Sequence, residues 1–245
     1  MRILITRPEP DAAELKAALE ALGHEVSIEP LLRIEPMPIE AGVLKGARGL
    51  IATSRNGLRA LAASGVPPQA LRLPVLTVGP ATSELARELG FQRVIEGPGT
   101  ASELVGLITA EAELARGPLV HVAGDAVAFD LAEELAARGI EVREVAAYRA
   151  VAARTLTPQT AQSIANGSLD AVILMSPRTA AIFAELVGTA RVTEQARRLI
   201  CLCLSQGVAN ALRDLAPARI EIALRPNSEA IVAVVGRVAT QSTGV

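Results

Sequence analysis

Glu141-Val-Arg-Glu-Val-Ala-Ala-Tyr-Arg-Ala-Val151 contains no glycine, proline, asparagine or serine to turn the chain. It begins as a strand, with apolar side chains at Val142 and Val145. It then stays extended, without turn residues, past the length at which an ordinary strand stops. An earlier stretch, Glu25-Val-Ser-Ile-Glu-Pro-Leu-Leu-Arg-Ile34, has the same character. Two strands that overrun into extended tails suggest a chain passing twice between two compact bodies. At roughly 3.3 Å per residue, an extended run of about eight residues reaches about 26 Å. The later stretch also carries Tyr148, the single tyrosine of a chain without tryptophan. A lone phenol on such a connector is expected to face the gap between the bodies.

Outward from these stretches, short aliphatic runs alternate with amphipathic segments, the mark of a parallel α/β architecture. Ten strands are expected, at Arg2 to Arg7, Glu25 to Glu29, Gly49 to Ser54, Pro74 to Gly79, Arg93 to Glu96, Pro118 to Ala123, Glu141 to Val145, Asp170 to Ser176, Leu199 to Ser205 and Arg219 to Leu224. Asp11 with Glu14 predicts a capping box for a helix closed by Gly23. A second helix is expected from Val127 to Arg138. Thr157-Pro158 reads as an N-cap followed by proline at the first helical position.

The pattern repeats. Leu15-Lys-Ala-Ala-Leu-Glu-Ala-Leu-Gly23 aligns with Leu131-Ala-Glu-Glu-Leu-Ala-Ala-Arg-Gly139, Ser54 answers Ser176, and Gly97 to Glu103 answers Ala223 to Glu229. A duplication of five strands follows. Each half can close on its own sheet, or the first strand–helix–strand unit of each half can join the other half's remaining strands. The long tails favour the second closure.

Composition sets limits. Half of the 245 residues are hydrophobic and only 2% are aromatic, so the core is aliphatic and platforms for stacking bases are lacking. Net charge is −2, with no basic run, which argues against nucleic acid or an anionic membrane as partner. No apolar run approaches the roughly 20 residues a membrane span needs, and Arg7, Glu9, Asp11 and Glu14 interrupt any signal-peptide pattern. A cytoplasmic, monomeric protein is expected. Cys201 and Cys203 share a strand face and read as small buried hydrophobes, a shared metal being the alternative.

In open parallel sheets, ligands bind at the carboxyl ends of the strands. Here those ends carry small hydroxyls, glycines, amides and arginines: Arg7, Thr53, Ser54, Asn56, Gly79, Thr82, Ser102, Ser176, Arg178, Ser205 and Ser228. There is no nucleophile–base pair, Walker loop or carboxylate cluster among them. What they offer is free N–H groups at helix starts, an anion-binding surface suited to a ligand with many carboxylates or phosphates. Each hydroxyl is equally an N-cap. Arg7 and Arg149 either clamp substrate carboxylates or form salt bridges. Gly97-x-Gly99-x-x-Ser102 approaches the dinucleotide fingerprint but lacks its third glycine. His121 reads as a satisfied core residue. Tyr148 is either a packing residue or a weak general acid, because phenols titrate near about pH 10 and are donors at neutral pH.

Leu4-Ile-Thr-Arg-Pro8, Thr53-Ser-Arg-Asn-Gly57, Val78-Gly-Pro-Ala-Thr82, Gly97 with Ala101-Ser102, Ala147-Tyr-Arg149, Met175-Ser-Pro177 and Pro226 with Ser228 together make the chain, over essentially its whole length, resemble the uroporphyrinogen-III synthase family. The resemblance implies two doubly wound, flavodoxin-like α/β domains joined by a two-stranded extended connector. Domain one is expected at residues 1–36 plus 155–245 and domain two at 40–148, with connectors at about 30–40 and 146–155. It implies a cofactor-free cyclising lyase acting on hydroxymethylbilane, a linear tetrapyrrole with carboxylate side chains. The enzyme would drive loss of the hydroxyl, inversion of the last ring and closure to uroporphyrinogen III in an interdomain cleft. Tyr148 matches the tyrosine proposed to assist hydroxyl departure, and Ser54, Thr82 and Ser176 match cleft-lining hydroxyls. Ser205-Gln-Gly-Val208 departs from the family's Gly-Pro-x-Thr, removing a threonine hydroxyl and leaving backbone amides as contacts. The competing class is a non-enzymatic bilobal binder or sensor of a polyanion.

Overall fold

The computed structural model describes residues 1–40, 42–111, 114–126 and 129–242. Its strands are β1 Arg2–Ile5, β2 Glu25–Ile28, β3 Leu32–Pro36, β4 Gly49–Ala52, β5 Pro74–Thr77, β6 Arg93–Glu96, β7 Leu119–Gly124, β8 Val142–Ala152, β9 Ala171–Leu174, β10 Ile200–Cys203 and β11 Arg219–Ile222. Its helices are α1 Asp11–Glu20, α2 Arg55–Ala63, α3 Pro80–Glu88, α4 Ala101–Ala110, α5 Leu131–Ala136, α6 Pro158–Ala165, α7 Pro177–Thr189, α8 Thr193–Ala196, α9 Gln206–Asn210 and α10 Ser228–Ser242.

The chain divides into two units. Unit one is Met1–Arg33 with Val151–Val245, and unit two is Ile34–Ala150. The chain passes from one to the other inside β3 and again inside β8.

Unit one holds a sheet in the order β11-β10-β9-β1-β2, parallel at each of its pairings. Counted within the unit, the order is 2-1-3-4-5, the flavodoxin-like winding, with its switch point between β1 and β9. β1 is continuously apolar because helices cover both faces. Ile3 and Ile5 pack with Leu15 and Leu19 of α1 and with Ile231, Val234, Val235 and Val238 of α10. Leu4 packs with Phe183, Leu186 and Val187 of α7 on the opposite face.

Unit two holds the order β3-β8-β7-β4-β5-β6, parallel at the pairings from β8 to β6. With β7 counted first, β8-β7-β4-β5-β6 is again 2-1-3-4-5, and its switch point lies between β7 and β4. The duplicated helices keep their turns as well, since Gly23 and Gly139 close them at φ +81° and +77°, a backbone region that favours glycine.

Three details differ from the sequence reading. The tail after Glu29 is itself a strand, β3, so the described residues hold eleven strands rather than ten. Asp11 does not complete a capping box: α1 is preceded by Pro10 without a side-chain cap, and Glu9 Oε2 accepts the Ala13 N–H instead. Helix α5 begins at Leu131, capped by Asp130, which accepts the Glu133 N–H at 2.8 Å. The expected start at Val127 lies outside the described residues.

Candidate active site

In unit two the strand ends around the switch point meet at Tyr148. The β7–β8 pairing shifts register between Ala123 and Gly124, so that Gly124 stands opposite Tyr148 where regular pairing would bring Ala147. A one-residue slip changes the face a side chain presents, and here it re-aims the phenol. The Tyr148 hydroxyl lies 3.0 Å from Ser54 Oγ, two strands away in the order β8-β7-β4. The ring gets there because the residue it crosses is glycine. A Cβ on Gly124 would stand 3.0 Å from ring carbons of Tyr148 and 3.2 Å from its hydroxyl. Tyr148 is half-buried.

Ser54 sits at the N-cap of α2 and accepts the Gly57 N–H at 3.2 Å. With one lone pair so used, Ser54 can either give its proton to the phenol oxygen or accept the phenol's. Next to Tyr148, Arg149 donates to Asp125 at 2.8 Å, and Asp125 N–H donates to the Tyr148 carbonyl. Arg149 is thus held locally in a half-exposed ion pair.

Thr53, one residue before Ser54, is 3.1 Å from His121 Nε2. The His121 Nδ1 is 3.0 Å from Glu144 Oε1. His121 is 1% exposed, and burial pushes its pKa below the ordinary imidazole value against the opposing pull of Glu144. The remaining expected residues of this unit lie on neighbouring helix starts. Asn56 accepts from Arg59, Gly79 is the N-cap of α3, Thr82 is buried in that helix's first turn, and Ser102 bonds the capping Thr100 at 3.1 Å. None of these four is bonded to Tyr148.

In unit one, Ser176 caps α7 by accepting the Thr179 N–H at 3.1 Å and pairs with the Thr179 hydroxyl at 2.7 Å. Arg178 is exposed in the same first turn. Arg7, at the end of β1, donates to Asp11 at 2.7 Å and to Ser228 Oγ at 3.2 Å, joining two expected residues. Ser205 is the N-cap of α9 but its side chain makes no cap bond.

Two polar centres were not foreseen as such. Glu144 is the cross-strand partner of His121; only the period-two spacing from Val142 could have placed it on the same face. Glu29 is 4% exposed and accepts from Thr157 N and Oγ1, at 3.1 and 2.5 Å, and from the Thr160 hydroxyl. The strand pattern marked it merely as a polar terminus. Cys201 and Cys203 are buried, and burial pushes each thiol up to about 12, disfavouring the thiolate that a metal would need.

The chain matches the family model of uroporphyrinogen-III synthase HemD over residues 13–233. Among solved structures it is similar to the uroporphyrinogen-III synthetase of Helicobacter pylori, at 16% identity over 97% of this chain and 100% of that one, with TM-score 0.65. It is also similar to a mutant uroporphyrinogen III synthase of Thermus thermophilus, at 19% identity over 99% of both chains, with TM-score 0.59. At such identities the structural likeness is one of fold. The family match does not favour the non-enzymatic binder.

Proposed function

Because this chain belongs to the uroporphyrinogen-III synthase family, cyclising lyases of tetrapyrrole biosynthesis, we propose that it converts hydroxymethylbilane to uroporphyrinogen III, with Tyr148 as the proton donor to the departing hydroxyl. The observation that carries the assignment of Tyr148 is its 3.0 Å contact with Ser54 across Gly124. In the proposed arrangement Ser54, which accepts the Gly57 N–H, turns its O–H to the phenol oxygen. The phenol proton is then free to pass to the substrate oxygen, which leaves as water.

Each unit by itself offers helix N-termini and caps suited to carboxylates: Asn56, Gly79, Thr82 and Ser102 in unit two, and Ser176, Arg178, Ser205 and Ser228 in unit one. Arg7, aligned by Asp11, supplies a fixed cation. Arg149 would exchange Asp125 for a substrate carboxylate. Holding the chain folded selects attack at the substituted ring carbon, a proximity and orientation effect. No helix of the described residues is long and apolar enough to cross a membrane; the reading includes a monomer acting in the cytoplasm.

The test is an isomer assay. Fresh hydroxymethylbilane is incubated with the protein, oxidised, and resolved into type I and type III uroporphyrins. Type III as the main product is the expected outcome. Type I at the rate of the protein-free control would sink the reading.

A further inference from the structure

Glu144, His121 and Thr53 form one line of hydrogen bonds across β8, β7 and the end of β4, and the proposed reaction uses none of its protons. The chemistry of the three groups fixes the direction of that line. An ionised carboxylate only accepts, so Glu144 Oε1 takes a proton from His121 Nδ1 at 3.0 Å. A neutral imidazole protonated at Nδ1 has only a lone pair at Nε2. The Thr53 hydroxyl, 3.1 Å away, must then donate its single proton there. Desolvation keeps His121 neutral by lowering its pKa, while Glu144 and Asp130 pull the other way. Thr53 Oγ1, in a half-buried residue, is left with lone pairs alone for any further partner. Ser54 beside it accepts a helix N–H and, in the proposed reaction, gives its proton to the phenol oxygen. Two consecutive hydroxyls thus present opposite polarity.

We propose that His121, oriented by Glu144, is a positioning residue that turns the Thr53 hydroxyl into an acceptor for a pyrrole N–H of the substrate and denies it to substrate carboxylates. The substrate half of this proposal rests on the synthase reading; the proton positions do not.

The chain has two histidines, so His24→Gln leaves His121 as the one imidazole in a ¹⁵N NMR spectrum. At neutral pH, without substrate, Nδ1 is expected to be protonated and Nε2 bare; a protonated Nε2 overturns the proposal. Among kinetic variants, Thr53→Val is expected to raise KM about tenfold, as loss of one hydrogen bond does, with kcat nearly unchanged. Thr53→Ser is expected to restore KM and to melt as the wild type does. An unchanged KM in Thr53→Val overturns the substrate contact. Glu144→Leu takes away the acceptor that holds the proton on Nδ1, so NMR is expected to show the proton moved to Nε2 and KM to rise as in Thr53→Val. A moved proton with unchanged KM removes the positioning role. Should the wild-type protein make no type III isomer, the synthase reading and the pyrrole contact fall together, and the spectrum alone decides whether Thr53 is an acceptor.

Discussion

Ser54 and Ser176 hold the same place in the two units. Each follows a central strand beside the switch point, and each caps the next helix by accepting the N–H three residues on, at 3.2 and 3.1 Å. There the likeness ends. The hydroxyl of Ser176 is returned to its own helix through Thr179, whereas that of Ser54 is tied to a tyrosine two strands away. The difference is made by neighbours: a glycine on β7 that lets a ring cross, and a register shift that turns the ring toward it. Under the proposed function, one scaffold, duplicated, would carry a proton donor in unit two and holding groups in unit one.

The sharpest way to break this comparison is Tyr148→Phe. It should lower kcat for type III formation by about a hundredfold, the scale of a lost general acid, with KM little changed in steady-state assays; full activity would leave positioning as the whole of the mechanism. Gly124→Val comes next. Its side chain would occupy the path of the ring and cost about 1–3 kcal/mol of stability by overpacking, read as a lower melting temperature together with a fall in kcat. Ser54→Ala and Ser176→Ala test the symmetry directly. Each should lose about 1 kcal/mol of cap stability in denaturant titrations, but only Ser54→Ala should also lower kcat, by about tenfold for one lost hydrogen bond. Equal kcat losses would mean that the units share the chemistry.

The smallest effect is one of pH. Because the folded-state pKa of His121 lies below the ordinary value, the folded chain refuses a proton that the unfolded chain accepts. This contribution is whole above about pH 6.5 and is lost as pH falls through that value toward the folded pKa. His24, half-exposed in unit one, is shifted the same way. Thermal melts from pH 8 to 5 should therefore decline toward acid, and His121→Gln should flatten the slope more than His24→Gln. Asp170, held below its ordinary range by Arg2, acts only below about pH 4, outside this window.

Much of the fold was legible because most strands are short, aliphatic and followed by a helix start. The hydrophobic alternation marks such units without reference to the rest of the chain. β3 was read as a tail because Pro30, Pro36 and Pro38 mask its strand character, and only a neighbouring strand makes it one. The hydroxyls were legible as residue types at strand ends, and Tyr148 as the lone phenol of an extended segment. Their connection was not, since the shift at Ala123 and Gly124 is a property of two strands together and leaves no local mark. His121 was legible as buried within an apolar strand, but its partner was set by cross-strand register. Glu29 shows the same limit: the threonines that satisfy it come from a helix 128 residues further on.

The order in which residues leave the ribosome adds a consequence of how unit one is assembled. β1 is its central strand, yet the strand that pairs it on one side is β9, and Arg2 finds Asp170 only 168 residues later. At about 5–20 residues per second, synthesis leaves Ile3, Leu4 and Ile5 without that neighbour for on the order of ten seconds. Meanwhile all of unit two has emerged. The nascent chain therefore completes its middle first, and a buried central strand waits for a neighbour made later.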